Sequence, residues 1–476
     1  MVFASPVFLC FFLPLVLLAY FCSSARWKNA VLLIASLIYY AWGEGVYCLL
    51  LILPITVTWL ASLQLQSTER ADMRKRILIG AIAVDLAALV YFKYANFLAA
   101  NVNTAMGATF PGFDPFPNTP IHLPLGISFF TFHALSYLID VYRRATPAQP
   151  SMANFALYMA FFPQLVAGPI VRYRDIAAQL TARAVDIEKF ASGIERFVIG
   201  LGKKVLIANP LGATADRVFA LTSGELSTPA AWLGIICYAF QIYFDFSGYS
   251  DMAIGLARMF GFSFLENFNY PYVATSMRDF WRRWHISLSN WFRDYVYIPL
   301  GGNRYGMGRT YANLLIVFLL CGLWHGANWT FLIWGLIHGA FLAIERGPFG
   351  TLLSRAWSPL RHAYTLLIVL IAWVFFRADT VSHAWDFLSV MFGRTTAPDP
   401  LLLPSLLDSK TAALLVLAAI AATPVFSNIP RDWAVRARQS AVAIQPLRAL
   451  VVLIMFALSA IYLAGQAYNP FIYFRF

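Results

Sequence analysis

The sequence reads LLIVFLLCGLWHGANWTFLIWGLI over residues 314–337, and its middle segment is more polar and richer in small residues than either end. The two ends are apolar, and His325 stands between them. This arrangement predicts that His325 lies inside a membrane, where an imidazole without a hydrogen-bond partner would be costly. Ionisable residues at that depth usually serve a function, and the alternative is a histidine that only hydrogen-bonds a backbone carbonyl.

The residues around His325 favour a functional role. Two glycines and an alanine in the same segment would let a substrate or another helix approach closely. Trp324 and Trp329 supply rigid walls that each carry one polar N–H group. We therefore expect Trp324 to contact the substrate beside His325.

A second polar segment lies upstream, at residues 278–295. Large apolar residues, Phe280 and Trp284 among them, recur there at the spacing of one helix face. The pattern predicts an amphipathic helix at a membrane surface. Its arginines include Arg282 and Arg283, whose guanidinium groups suit either a phosphate-rich ligand or anionic lipid headgroups.

Composition identifies the class of protein. Hydrophobic residues make up 60% of the chain, charged residues 12%, and the mean hydropathy is +0.65. Such a chain cannot be spread over a water-exposed surface, and its apolar runs are joined by mostly short loops. We expect one all-α polytopic integral membrane domain over residues 1–476, with about ten to twelve transmembrane or re-entrant helices around a central tunnel or pocket.

The net charge of +12 does not indicate nucleic-acid binding, because the basic residues are scattered among the loops between apolar runs. Contact with membrane lipids and membrane orientation explain them better. The five cysteines lack metal-site spacing and mostly lie in apolar runs, so neither a disulfide framework nor a metal site is predicted. The seven histidines are likewise scattered, with no HExxH motif.

Loop charges predict the orientation. No basic residue precedes the first apolar run, and Arg26 and Lys28 follow it, which is the wrong polarity for a cleavable signal peptide. The positive-inside rule then places the N-terminus outside the cytoplasm, and counting the runs places the C-terminus there as well. Outside residues 155–330, the runs are 7–22, 30–42, 46–65, 77–99, 124–141, 363–376, 411–426 and 449–464.

Residues 151–204 depart from this regular pattern. The sequences FFP at 161–163 and AGP at 167–169 interrupt an apolar stretch. A re-entrant or broken helix that lines a substrate pocket fits this pattern, since irregular backbone at membrane depth must be covered by protein or line a cavity. A simple proline kink is the alternative.

Several long motifs resemble one known family. Residues 244–255 read FDFSGYSDMAIG, residues 281–288 read WRRWHISL, residues 300–304 read LGGNR and residues 324–328 read WHGAN. These segments are similar to those of the membrane-bound O-acyltransferase family, and within it to the bacterial branch that acetylates alginate. The likeness extends over nearly the whole chain, through YANF at 94–97, LGISF at 125–129 and FPQLVAGP at 162–169.

The resemblance implies transfer of an acyl group from a cytoplasmic thioester to a hydroxyl on the far side of the membrane. Acetyl-coenzyme A is the implied donor, and an acyl carrier protein is the alternative. A histidine of near-neutral pKa can remove the hydroxyl proton, so His325 is expected to be the general base. His285 is expected to help position the donor or acceptor. Asp251, Gln241 and Asn328 are candidates to orient the imidazole or stabilise an oxyanion.

The acceptor and the partners also follow from the resemblance. Alginate is the implied acceptor, and cellulose, another secreted polysaccharide or a cell-wall polymer such as peptidoglycan or teichoic acid could use the same machinery. The implied partners are periplasmic polysaccharide acetyltransferase subunits and the polysaccharide synthesis and export machinery. The implied location is the bacterial inner membrane, with both termini in the periplasm. A transporter is the alternative from another class, but we find no paired broken helices in two halves.

The last eight residues, 469–476, read NPFIYFRF, which is unusually aromatic for a chain end. Such a tail is expected to dock against an apolar surface. Its spacing is similar to an acyl-relay motif that a small partner protein carries in the D-alanyl-transferring branch of the family. We therefore expect residues 465–476 to form a periplasmic tail in which Tyr473 carries the acyl group. The alternative is that Tyr473 is an ordinary tyrosine at the membrane interface.

Overall fold

The computed structural model describes residues 2–110, 115–116, 121–394, 401–426, 441–465 and 468–470. Within these residues the regular structure is entirely helical, as predicted. The chain forms two compact units, one of Met1–Phe190 with Leu256–Leu265, the other of Ala191–Gly255 with Glu266–Arg475. Whether residues 1–476 act as one domain stays a prediction.

The first unit is built mainly from helices α1 to α9. Its core includes an aromatic cluster in which Phe12, Tyr39 and Phe162 meet with ring centroids 5.5–5.7 Å apart. The helices are α1 (Leu13–Cys22), α2 (Lys28–Glu44), α3 (Cys48–Ser67), α4 (Ala71–Leu89), α5 (Ala95–Thr109), α6 (Ile127–Tyr142), α7 (Met152–Ala160), α8 (Phe162–Leu165) and α9 (Tyr173–Thr181).

The irregular segment of the first unit is a broken helix. Helix α7 ends at Ala160, the four-residue α8 follows, and residues 166–172 have no regular structure although they are buried. The backbone of Gly126 (φ +79°) lies so close that a Cβ there would be 2.5 Å from the carbonyl oxygen of Leu165. Irregular backbone in the interior favours the broken-helix interpretation over a proline kink.

The second unit contains most of α10 and α12 and all the helices that follow. They are α10 (Ile187–Gly202), α11 (Asn209–Phe219), α12 (Thr228–Met259), α13 (Met277–Arg283), α14 (Ile286–Phe292), α15 (Gly306–His325), α16 (Trp329–Ile344), α17 (Pro348–Arg355), α18 (Ser358–Arg377), α19 (Val381–Met391), α20 (Leu402–Leu406), α21 (Ser409–Ala421) and α22 (Ala441–Gly465). A π-helical turn, Lys203–Ala208, joins α10 to α11.

Glycines bring two helix pairs of the second unit into backbone contact. A Cβ on Gly200 of α10 would lie 2.5 Å from the Gly248 carbonyl oxygen of α12. Helices α15 and α16 approach in the same way, since a Cβ on Gly322 would lie 2.4 Å from the Phe331 carbonyl oxygen. Small residues are the usual means of close helix packing in membranes. The close helix approach expected next to His325 is therefore present.

We expect Gly335→Ala to destabilise the second unit strongly. The new Cβ would lie 2.2 Å from the carbonyl oxygen of Phe318, and because a backbone atom cannot rotate away, α15 and α16 would have to separate. Folded yield and the thermal unfolding midpoint in detergent should both fall. Gly308→Ala on α15 is the control, since nothing lies within 4 Å of its Cβ and alanine favours helix. Equal losses in the two variants would contradict this account.

The helices support a multi-pass membrane protein. Among the described residues, six helical stretches are long and apolar enough to cross a membrane. They are Lys28–Ser67, Ala71–Thr109, Thr228–Met259, Gly306–His325, Ser358–Arg377 and Pro446–Gly465. Shorter apolar helices are Phe8–Cys22, Ile127–Tyr142, Trp329–Ile344 and Ser409–Ala421. The count of about ten to twelve passes or re-entrant segments stays a prediction.

Candidate active site

His325 is the last residue of α15 and is only 3% exposed. The chain turns after it through Gly326 and begins α16 at Trp329. The imidazole is enclosed by aromatic rings, with centroid distances of 4.9 Å to Trp334 and 5.2 Å to Phe376. Aromatic rings therefore surround this histidine, but they include Trp334 and Phe376, which were not predicted, whereas the predicted Trp329 is 55% exposed.

His285 lies at a break between two short helices, so the prediction of one amphipathic helix was wrong. Helix α13 ends at Arg283, Trp284 is extended, and His285 has φ +43° and ψ +56° before α14 begins. The Ile286 amide donates to the Asn267 carbonyl oxygen at 2.9 Å, which replaces a bond within a helix. Because Phe280, Trp284 and Leu288 are all buried, the predicted apolar face exists across the break.

Asn267 holds the His285 ring through its side chain. Its Nδ2 donates to the Ser250 hydroxyl at 3.1 Å, which identifies its Oδ1 as the acceptor. His285 Nδ1 lies 3.1 Å from that Oδ1 and therefore carries the proton. Nε2 is then the basic nitrogen, and it has no hydrogen-bond partner among the described residues. Burial lowers the pKa of His285 to about 3, so the ring is neutral at physiological pH.

The two histidines share one neighbour, Trp324. Its ring centroid lies 4.9 Å from that of His325 and 6.1 Å from that of His285. Phe246 of α12 closes the other side of His285, with its ring perpendicular at 4.6 Å. The fold thus brings together three of the predicted site residues, His285, Trp324 and His325, from segments about 40 positions apart.

Asp251 takes part in a separate ion-pair network. One carboxylate oxygen lies 2.6 Å from Arg196 Nη2, and the other lies 2.6 Å from Lys203 Nζ. Arg196 also pairs with Glu266, and these charges raise its pKa against the opposing effect of burial. Since both Asp251 oxygens have cationic partners, the geometry supports a role in joining α10 to α12 rather than in orienting an imidazole.

Asn328 and Gln241 also have structural neighbours other than the histidines. Asn328 is the N-cap of α16, where its Oδ1 accepts from the Thr330 amide at 3.1 Å. Its Nδ2 donates to the Asp379 carbonyl oxygen at 2.9 Å. Gln241 is buried on α12 against Gly212 of α11, where a Cβ would lie 2.5 Å from its Nε2. No contact between these two side chains and either site imidazole is recorded within the described part of the chain.

A cavity of about 410 Å³ lies next to this site. Its lining contains both basic and apolar side chains. The basic residues are Arg278, Arg282, Arg293 and Arg346. The apolar wall includes Trp281, Phe318 and Cys321, and Cys321 precedes His325 by one turn of α15. Trp281 packs on Trp334 at 5.9 Å, and Trp334 in turn packs on His325.

The two predicted arginines differ in their surroundings. Arg282 is exposed and lines the cavity. Arg283 instead pairs with Asp279, with Nε 2.9 Å from Oδ1, and its Nη1 donates to the Asn269 carbonyl oxygen. The cavity thus supports a ligand-binding role for Arg282 more than for Arg283. Arg346 is distant in the chain, and no sequence signal pointed to it.

A second cavity, of about 450 Å³, shares Arg278 and Arg346 with the first. It is more polar and also contains Glu345 and Arg361. The Glu345 carboxylate accepts from the backbone amides of Met277 and Arg278, at 2.7 and 3.1 Å, and so fixes the first turn of α13. Burial raises the pKa of Glu345 above its usual value despite these bonds.

Two further predictions concern a metal cofactor and the C-terminal tail. Within the described residues, no cluster of three or more histidine, cysteine or acidic side chains could hold a metal ion. The absence of a metal cofactor stays a prediction. Tyr473 lies outside the described residues, as does most of the tail at 465–476.

Comparison with known proteins identifies the family. The profile of the membrane-bound O-acyltransferase family matches residues 36–377. A probable alginate O-acetylase of Azotobacter vinelandii is 44% identical, and one of Pseudomonas aeruginosa is 43% identical, each over the full length of both chains. A peptidoglycan O-acetyltransferase of Helicobacter pylori is 37% identical over 83% of this chain and 80% of its own length.

These matches confirm the predicted family and decide between an enzyme and a transporter in favour of the enzyme. They agree with the described helices, which include several that could span a membrane. The chain therefore belongs to the membrane-bound O-acyltransferase family and is a multi-pass membrane O-acyltransferase.

Proposed function

We propose that the enzyme transfers acetyl groups from cytoplasmic acetyl-coenzyme A to hydroxyl groups of a secreted polysaccharide of the alginate type. The observation that carries this proposal is the arginine-lined cavity, whose lining residue Trp281 is separated from His325 only by the ring of Trp334. The names of the two full-length relatives favour alginate as the acceptor. The finer assignments of donor, acceptor and residues are ours.

The shape and charge of the cavity suit coenzyme A. Its nucleotide end carries phosphates, which guanidinium groups bind through charge-assisted hydrogen bonds. Its thioester end is a slender, mostly uncharged arm that fits an apolar wall such as that of Trp281 and Phe318. The second cavity extends the same basic surface through Arg278 and Arg346. An acyl carrier protein would present the same arm without the nucleotide phosphates, so the basic lining, in which Arg293 alone is paired with an aspartate, Asp294, within the described residues, favours the free coenzyme.

The chemistry requires one base and close alignment. The acceptor oxygen attacks the thioester carbonyl carbon while His325 takes the hydroxyl proton. The new C–O bond forms as the C–S bond breaks, and the imidazolium returns the proton to the leaving sulfur. His285, which also neighbours Trp324, presents a basic Nε2 that can hold the donor or the acceptor by a hydrogen bond. The enclosing aromatic rings exclude water, which would otherwise hydrolyse the thioester.

We further propose that Tyr473 carries the acetyl group between donor and polysaccharide. His325 removes the phenol proton, the phenolate attacks the thioester, and an acetyl ester of Tyr473 forms with release of coenzyme A. A periplasmic acetyltransferase subunit then moves the acetyl group to a sugar hydroxyl, beside the machinery that synthesises and exports the polymer. This route places the enzyme in the bacterial inner membrane, with both termini in the periplasm and the arginine-lined cavity facing the cytoplasm.

A cell-wall polymer is the second candidate acceptor. The Helicobacter pylori relative that favours it is named a peptidoglycan O-acetyltransferase and matches 83% of this chain. The donor cavity and His325 would serve both acceptors in the same way. Acetate content of the secreted polysaccharide and of the peptidoglycan, measured in a strain that lacks the gene, distinguishes them.

We expect the double variant Arg278→Gln and Arg282→Gln to raise the KM for acetyl-coenzyme A by about tenfold or more, because each lost charge-assisted bond weakens phosphate binding. The assay is release of free coenzyme A thiol by purified protein in detergent, which tests the donor at the same time. Acetyl-pantetheine, which lacks the nucleotide phosphates, should be used equally well by the variant and the parent enzyme.

Arg355→Gln is the charge-matched control, because Arg355 ends α17 and lines neither cavity. Its KM should equal that of the parent enzyme. An unchanged KM in the double variant would assign these arginines to lipid headgroups. Failure of the parent enzyme to consume acetyl-coenzyme A would refute the proposed donor.

A further inference from the structure

A short segment after the last described helix contacts other residues of the second unit, to which this segment belongs. Helix α22 ends at Gly465, and residues 468–470, here termed the C-terminal strap, each make a polar contact. Tyr468 donates its hydroxyl to Asp216 Oδ2 at 2.6 Å. Asn469 accepts through Oδ1 from Asn209 Nδ2 at 3.2 Å. The Pro470 carbonyl oxygen accepts from Lys204 Nζ.

These contacts give the strap a direction. Residues 468, 469 and 470 contact Asp216, Asn209 and Lys204 in that order, so the residue numbers of the partners decrease as those of the strap increase. The strap therefore runs antiparallel to α11 and to the π-helical turn before it. Asp216, which accepts from Tyr468 through Oδ2, also forms an ion pair with Arg377 through Oδ1, with Nη2 2.6 Å away. This ion pair fixes the position of the Asp216 carboxylate.

The inner end of the strap reaches a buried ion pair. Lys204 Nζ lies 2.7 Å from Asp245 Oδ1, and both side chains are only 3% exposed. Asp245 is near the middle of the 32-residue α12, which is long and apolar enough to cross a membrane. The strap thus leads inward from the end of α22, whereas chain ends usually extend into solvent.

This inner end is close to the candidate active site. Asp245 precedes Phe246, whose ring packs on the His285 ring at 4.6 Å. Since Lys204 contacts both Pro470 and Asp245, a continuous series of neighbours links the strap to the His285 ring.

We propose that Asp216, Asn209 and Lys204 are positioning residues that dock the C-terminal strap and direct the residues after it toward the two site histidines. The reactive part of this inference rests on the proposed relay through Tyr473, while docking itself does not. Docking stabilises the tail in one place, which raises the effective concentration of its phenol at the thioester.

The test is the double variant Tyr468→Phe and Asn469→Ala, which removes the side-chain contacts of the strap with Asp216 and Asn209 and leaves the buried contacts of Lys204 with Asn209 and Asp245 in place. Hydrogen exchange of the C-terminal peptide, followed by mass spectrometry, reports docking without reference to activity. We expect faster exchange in the variant, at least about tenfold less acetyl on the tail at a fixed time, and an unchanged KM for acetyl-coenzyme A.

Arg448→Gln is the matched control, because it breaks the ion pair of α22 with Glu195 but leaves the strap contacts in place. Its exchange and tail acetylation should match those of the parent enzyme. Unchanged exchange in the double variant would overturn docking, and faster exchange with normal tail acetylation would overturn the positioning role. Faster exchange together with an unacetylated tail in the parent enzyme would refute the relay and support docking alone.

Discussion

Replacing His325 with alanine should lower acetyl transfer by about 10²- to 10⁴-fold, the usual cost of losing a general base, while the protein remains folded and inserted in the membrane. The imidazole lies among the rings of Trp324, Trp334 and Phe376, none of which can take the hydroxyl proton in its place. Transfer is measured as labelled acetate delivered from acetyl-coenzyme A, and folding as a monodisperse elution profile with a normal thermal midpoint.

Added imidazole separates loss of the base from loss of packing. A small base that enters the space left by the side chain should restore part of the activity of the alanine variant and none in the parent enzyme. His338→Asn is the matched control, since His338 is also buried among aromatic rings and its Nδ1 accepts from Trp281 Nε1 at 3.2 Å. An asparagine oxygen can replace that acceptor, so this variant should retain activity. Near-normal activity in His325→Ala would remove His325 from the mechanism.

The sequence was sufficient to predict the class of fold and the buried position of His325, because both depend on local composition. Long apolar runs predict membrane helices, and a histidine between two such runs stands out without any knowledge of the fold. The broken helix between α7 and α8 was also predictable, since prolines and glycines interrupt an apolar stretch there.

The break at His285 was not predictable from the same kind of pattern. Phe280, Trp284 and Leu288 have helical spacing, and all three are buried even though the helix is interrupted between them. At the break, the His285 ring and the amides of Ile286 and Ser287 donate instead to Asn267, which lies 18 positions away from His285. Bonds between distant residues override local helical periodicity and leave no mark on it.

The arginine-lined cavity shows a second limit of prediction from sequence, namely which charged residues come together. Arg282 was a candidate because it lies in an arginine-rich segment, but its neighbour Arg283 has the same sequence signal and is paired with Asp279. Arg346 joins the cavity from the far end of α16, more than 60 positions away. The same applies to Asp251, whose carboxylate is taken by Arg196 and Lys203 of another helix and turn. Which charges meet is decided by helix packing.

Replacing Tyr473 with phenylalanine should abolish acetylation of the polysaccharide while membrane insertion and the KM for acetyl-coenzyme A stay normal. Phenylalanine keeps the aromatic ring but removes the oxygen that would carry the acetyl group. A phenol with a pKa of about 10 is a weak nucleophile until a base takes its proton. His325→Ala is therefore also expected to prevent acetylation of Tyr473. Acetate bound to the secreted polymer is the measurement in cells.

Mass spectrometry of the C-terminal peptide tests the intermediate directly. After incubation of the parent enzyme with acetyl-coenzyme A, one added acetyl group should be found on Tyr473, and the label should disappear when a periplasmic acetyltransferase subunit is added. Tyr462→Phe is the matched control, because Tyr462 lies in α22 before the strap and should be dispensable. An active Tyr473→Phe variant, together with a parent enzyme that yields no labelled peptide, would refute the proposed relay through Tyr473. The arginine-lined cavity and His325 would then serve a direct transfer to the partner subunit, which the His325→Ala result tests independently.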